Sequence, residues 1–123
     1  VYEDASAEKY FRSSFGGDAQ GNLRAPSGRV SASTDIGPKT GKTKVNEDSL
    51  AIGAGPQGEL NIILADGMGG HGAGEVASNL AVTHLQGAGR RGESLLESAK
   101  QIPSRLEAHV AEQVNAGASA VAD

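Results

Sequence analysis

From Leu60 to Ser78 the chain reads Leu-Asn-Ile-Ile-Leu-Ala-Asp-Gly-Met-Gly-Gly-His-Gly-Ala-Gly-Glu-Val-Ala-Ser. The apolar run Ile62, Ile63, Leu64, Ala65 predicts a buried strand. It stops at Asp66, and five glycines follow within the next eight residues. From Gly74 the pattern changes to Glu75, Val76, Ala77, Leu80, Ala81, His84 and Leu85. That is the three-to-four spacing of an amphipathic helix, with an acid in its first turn. The unit is therefore strand, carboxylate, flexible turn, helix.

Upstream, Val30, Ala32, Thr34 and Ile36 alternate with Arg29, Ser31, Ser33 and Asp35. This is the pattern of a half-buried strand that ends at Gly37-Pro38. A lysine-rich loop with Lys39, Lys42 and Lys44 leads to Asn46-Glu47-Asp48-Ser49 and a second strand, Ser49 to Ala54. Gly53 to Gly58, with Pro56, reads as a hairpin loop returning into Leu60 to Ala65. Antiparallel pairing of those two strands brings Glu47-Asp48 and Asp66 to the same sheet edge. Downstream, Gly87 to Gly92 reads as a loop. Glu93 to Ala116 is helical, with the stripe Leu95, Ala99, Ile102, Leu106, Val110 and Val114. Pro103 should kink this helix or open a second one.

The 123 residues suit one small domain, and a net charge of −4 gives no electrostatic footprint for nucleic acid. No apolar run reaches the ~18–20 residues of a membrane span, and the first residues lack a basic-then-apolar signal pattern, so the expectation is a cytoplasmic protein. There is no cysteine, hence no disulfide and no thiolate metal site. Residues 1–28 mix charge with Gly, Ser and Asn and read as a poorly ordered leader or linker, although Tyr10, Phe11 and Phe15 offer a cluster that could dock on the domain. All four aromatic residues lie in the first fifteen positions, which leaves the rest to build its core from Val, Ile, Leu and Ala. So thin a core suggests a piece of something longer.

Asp66-Gly67 alone reads equally as a hairpin turn, but a helical pattern follows it where a hairpin needs a strand. Glu47-Asp48 alone reads equally as a solvated pair. Taken together across the predicted hairpin, the three carboxylates and a glycine carbonyl suit a hard cation such as Mg²⁺ or Mn²⁺. Gly37-Pro38-Lys39-Thr40-Gly41-Lys42-Thr43 imitates a phosphate-binding loop, but it has three residues between its glycines instead of four, and no helix is expected after it. His84 and His109 sit near apolar helix stripes and read as packing histidines. His71, in the glycine turn, is the histidine placed to meet substrate or water.

Four blocks in order carry a resemblance: Ser33-Thr34-Asp35-Ile36-Gly37, Asn46-Glu47-Asp48-Ser49, Leu64-Ala65-Asp66-Gly67-Met68-Gly69-Gly70-His71 and Gly74-Glu75-Val76-Ala77-Ser78. With them the chain resembles, over about Val30 to Ala116, the N-terminal half of the metal-dependent protein phosphatases of the PPM family, also called the 2C type. The Met after Asp-Gly is similar to the bacterial branch. The resemblance implies an α+β fold, part of a PPM-type β-sandwich of antiparallel sheets flanked by helices, truncated, with residues 29–123 as the N-terminal part of the domain. It implies a centre of two Mn²⁺ or Mg²⁺ ions that activates a water against phosphoserine or phosphothreonine. Asp66 would bridge the ions, Glu47 and the Gly67 carbonyl would hold one of them, and Asp48 would bind coordinated water.

The chain departs from the family at Thr43, where a phosphate-binding arginine is usual; Lys42 or Lys44 would substitute as point charges without the bidentate fork. Met68 stands where some members carry a histidine that acts as general acid. The later motifs that supply further aspartates are missing, so this piece is expected to be inactive alone. The implied partners are phosphorylated Ser/Thr proteins, such as products of a cognate protein kinase, with no nucleic acid or membrane, acting as a monomer. The competing expectation is a catalytically inactive PPM-like regulatory or binding module.

Overall fold

The computed structural model describes residues 2–4, 10–13, 17–25, 28–37, 45–67 and 73–122. In chain order these form β1 (Tyr2–Asp4), β2 (Tyr10–Arg12), β3 (Ala19–Ala25), β4 (Gly28–Thr34), β5 (Asp48–Ala54) and β6 (Leu60–Asp66). They continue into α1 (Gly74–Arg90), α2 (Leu95–Ala99) and α3 (Ile102–Ala122). The fold is α+β. One sheet has the order β1-β3-β4 and the other β2-β5-β6; neighbours run antiparallel, except that β1 lies parallel to β3.

The sheets meet at Leu23, Ile52 and Ala54, with Phe11, Val30, Ala32 and Leu60 packed around them. Strand alternation turns the next residues the other way. Ala51 and Ile63 face α1, where they pack with Val82, Ala65 and Leu85. The result is three layers: a sheet, a second sheet and a helix. Helix α1 follows β5 rung by rung, with Ser78 hydrogen-bonded to Ser49 at 2.9 Å and the Gln86 amide donating to the Phe11 carbonyl at 3.2 Å.

The stretch 1–28, expected as a leader or linker, carries β1, β2 and β3 among its described residues. Phe11 and Leu23 from it enter the core, and the guanidinium of Arg90 lies 4.3 Å from the centre of the Tyr10 ring. Phe15 lies outside the described residues.

Two sequence expectations need correction. The run Ile62 to Ala65 is buried on one face only: Ile63 is buried, whereas Ile62 is 57% exposed and Leu64 77%. The cause is topological, because β6 is the last strand of its sheet among the described residues and the opposite sheet packs over β2 and β5. The second correction is that Gly87 to Arg90 continue α1 instead of forming a loop. A Cβ on Gly89 would lie 2.5 Å from the Asn61 amide nitrogen, so the glycine permits the helix to approach β6 closely. The stop comes at Gly92, with φ +77°. Pro103 lies in the first turn of α3, where its missing N–H goes unused, and it opens a second helix there.

Among the described residues no helix is long and apolar enough to cross a membrane. A groove of ≈ 1260 Å³ lies between α1 and α3, lined by Val76, Leu80, Leu106 and Val110 among others. It includes none of the carboxylates singled out from the sequence.

Candidate metal centre

The strands β5 and β6 pair in register from Ala54↔Leu60 to Asp48↔Asp66. The hairpin therefore delivers Asp48 and Asp66 to directly opposite positions at one end of the sheet. Both side chains are exposed. One residue further out, the Gly67 N–H donates to the Glu47 carbonyl at 3.0 Å and extends the ladder by one rung.

Glu47 sits on the other face of this strand end. Its carboxylate lies against the Cα of Gly74, the first residue of α1, and the Gly67 carbonyl oxygen would lie 2.9 Å from a Cβ there. A Cβ on Gly67 would in turn collide with the Gly74 carbonyl and come within 2.7 Å of the Glu47 carbonyl oxygen. Three backbone segments thus converge with no room for a side chain at either glycine. That spacing brings the Glu47 carboxylate and the Gly67 carbonyl to a common point.

Of the residues singled out from the sequence, the structure brings together Glu47 with Gly67, and Asp48 with Asp66. By alternation, Asp48 and Asp66 belong to the sheet face that carries Ile52 and Leu60, and the Glu47–Gly67–Gly74 contact lies on the α1 side. Among the described residues no three Asp, Glu or His side chains are grouped so as to hold an ion. The donors at this sheet end, carboxylates and a backbone carbonyl, are nonetheless of the hard oxygen type that Mg²⁺ and Mn²⁺ take. Lys42, Thr43, Lys44, Met68 and His71 lie outside the described residues. His84 is a packing residue, its Nε2 3.0 Å from the Ser98 carbonyl oxygen.

Two residues of the quoted motifs have parts that sequence reasoning did not assign. Asn46 is buried and ties three segments together. Its Nδ2 donates to Thr34 Oγ1 at 2.7 Å and to the Gly17 carbonyl at 3.2 Å, while its Oδ1 accepts from the Asp48 N–H at 3.0 Å. Glu75, 9% exposed, has an Oε2 with no hydrogen-bond partner among the described residues. Buried polar atoms almost always have one.

Part of the chain is similar to known proteins. Protein phosphatase PhpP of Streptococcus pneumoniae is 48% identical over 56 residues, which is 46% of this chain and 22% of that protein. Over that stretch the chain is homologous to the bacterial 2C-type phosphatases. A putative protein phosphatase 2C-type of Streptococcus pyogenes is 44% identical over 57 residues, 46% of this chain and 22% of the relative. The serine/threonine phosphatase stp of Listeria monocytogenes is 39% identical over 67 residues, 54% of this chain and 26% of the relative. The matched stretch is thus about a fifth to a quarter of the length of these 2C-type relatives. No family model matches the chain, and no solved structure does.

Proposed function

We propose that this chain is part of a metal-dependent protein serine/threonine phosphatase of the 2C type, acting on cytoplasmic phosphoproteins. Residues 29–123 make up the N-terminal part of its domain, and β2 and β3 pack onto them. The reading rests on the β5–β6 register, which sets Asp48 opposite Asp66 and ties Gly67 to Glu47 at one sheet end. The homology to named phosphatases supports it.

In this reading Asp66 and Glu47, with the Gly67 carbonyl, hold Mn²⁺ or Mg²⁺, and Asp48 orients coordinated water. Bound divalent ions supply a water of lowered pKa and neutralise charge on the phosphoryl group under in-line attack. The work of the chain is to fix these oxygens. The rung between Gly67 and Glu47 holds the carbonyl and the carboxylate in one place, and the Asn46 side chain clamps the backbone at Asp48. Two carboxylates on directly opposite residues repel, and a cation at that end relieves the repulsion. Lys42 or Lys44 meets the substrate phosphate. The remaining ligands of a two-ion centre come from sequence beyond these residues, so the 123-residue chain alone is expected to be inactive.

Thr43, at the position where the family carries arginine, favours a second reading, a folded module that keeps the site's outline without turnover. The test is hydrolysis of a phosphothreonine peptide, with and without Mn²⁺, by the chain joined to the coding sequence that follows it. Metal-dependent release of phosphate that is lost on Asp66→Asn supports the phosphatase. A folded protein that is inert with Mn²⁺ and with Mg²⁺ supports the module.

A further inference from the structure

The buried residues of α1 are Gly74, Glu75, Ser78, Val82, Gln86, Ala88 and Gly89. The rungs of the helix follow β5: Ser78 meets Ser49, Val82 packs with Ala51, and the Gln86 amide reaches the backbone of β2 beside Gly53. Each turn of the helix advances by two residues of the strand. Four residues before Ser78 stands Gly74, followed directly by the buried Glu75, and two residues before Ser49 stands Glu47. The contact of the Glu47 carboxylate with Gly74 shows that the correspondence continues to this end.

A buried carboxylate needs a reason to be there. The Ser78 hydroxyl is committed to Ser49 and to the Glu75 backbone carbonyl, and among the described residues Glu75 Oε2 is left without a donor. Leaving a buried polar group unsatisfied costs about 1–3 kcal/mol, and more if it is charged. A glutamine or a leucine would avoid the charge. The carboxylate is explained if a cation lies within its reach, and two oxygen donors that suit one, Glu47 and the Gly67 carbonyl, lie against Gly74, the residue before it.

We propose that Glu75 is a further carboxylate of the metal centre, contributed by α1 and directed at the ion that Glu47 and the Gly67 carbonyl hold. The inference rests on the metal-centre reading above. It makes α1 part of the ion's surroundings, so metal binding and the docking of the helix stabilise one another.

The test measures Mn²⁺ affinity by calorimetric titration, and melting temperature in EDTA, for the wild-type chain, Glu75→Gln and Glu47→Gln. The expected result is that Glu75→Gln weakens Mn²⁺ binding by about 10- to 100-fold. It should also melt in EDTA at or above the wild-type temperature, because the orphaned carboxylate is gone. If Glu75→Gln binds Mn²⁺ as tightly as wild type while Glu47→Gln binds weakly, the role of Glu75 is overturned and the metal centre stands. If Glu75→Gln melts well below wild type in EDTA or fails to fold, the carboxylate serves the fold and the inference is overturned. Wild type that binds no Mn²⁺, or Glu47→Gln that binds it normally, overturns the metal centre and this inference with it.

Discussion

Asn46 joins Gly17, Thr34 and the start of β5 through one side chain. Replacing it by Ala removes three part-buried hydrogen bonds, and the expected loss of stability is about 1–3 kcal/mol. Urea unfolding measures it directly, and a change below about 0.5 kcal/mol would mean the clamp is idle. The sequence marks Asn46 as a motif residue but not as a clamp, because its partners lie 12 and 29 residues away and depend on how the sheets stack. Ser78 is a similar case, since its partner Ser49 is 29 residues distant. Glu47, Asp48, Asp66 and Gly67 were legible as a group because a single hairpin, with its turn signal between two apolar runs, brings them together. The division of Glu47 from Asp48 and Asp66 across two sheet faces follows from strand alternation, and what the hairpin alone does not tell is which of the two faces α1 covers.

At the scale of elements, periodicity reports which residues are apolar, and packing decides which of them are covered. In β6 the four apolar residues Ile62 to Ala65 look alike in sequence, yet Ile63 faces α1 while Ile62 and Leu64 stand free at the sheet's last strand. Leu64→Lys should therefore change stability by no more than about 0.5 kcal/mol. Ile63→Ala, one residue away, should cost about 2–5 kcal/mol. Paired thermal melts of the two variants check the assignment of faces, and comparable losses would contradict it. The length of α1 was concealed for a different reason. Gly87 and Gly89 read as loop residues, whereas Gly89 is where the helix comes close to Asn61. Pro103 was legible because its chemistry is local: a ring that cannot sit inside a helix fits its first turn.

The molecule as a whole is two small sheets with α1 packed on the outer face of one, and the N-terminal strands belong to it. Phe11 packs beside Leu23 and Ile52, so Phe11→Ala should destabilise the fold by about 1.5–3 kcal/mol. An unchanged midpoint in urea would instead make β2 an appendage. The composition of residues 1–28 disguised this, because strands β2 and β3 are short, polar on one side and separated by glycines. The central claim is that the sheet end carrying Glu47, Asp48, Asp66 and Gly67 takes a divalent cation. The most direct measurement is NMR of the ¹⁵N-labelled chain with substoichiometric Mn²⁺, whose paramagnetism broadens the signals of amides near the ion. The account predicts selective broadening at Glu47, Asp48, Asp66, Gly67 and Gly74, with Arg24 and Arg29, at the far end of the β3–β4 pair, unaffected. Broadening centred elsewhere, or none at any of these five amides, would contradict it.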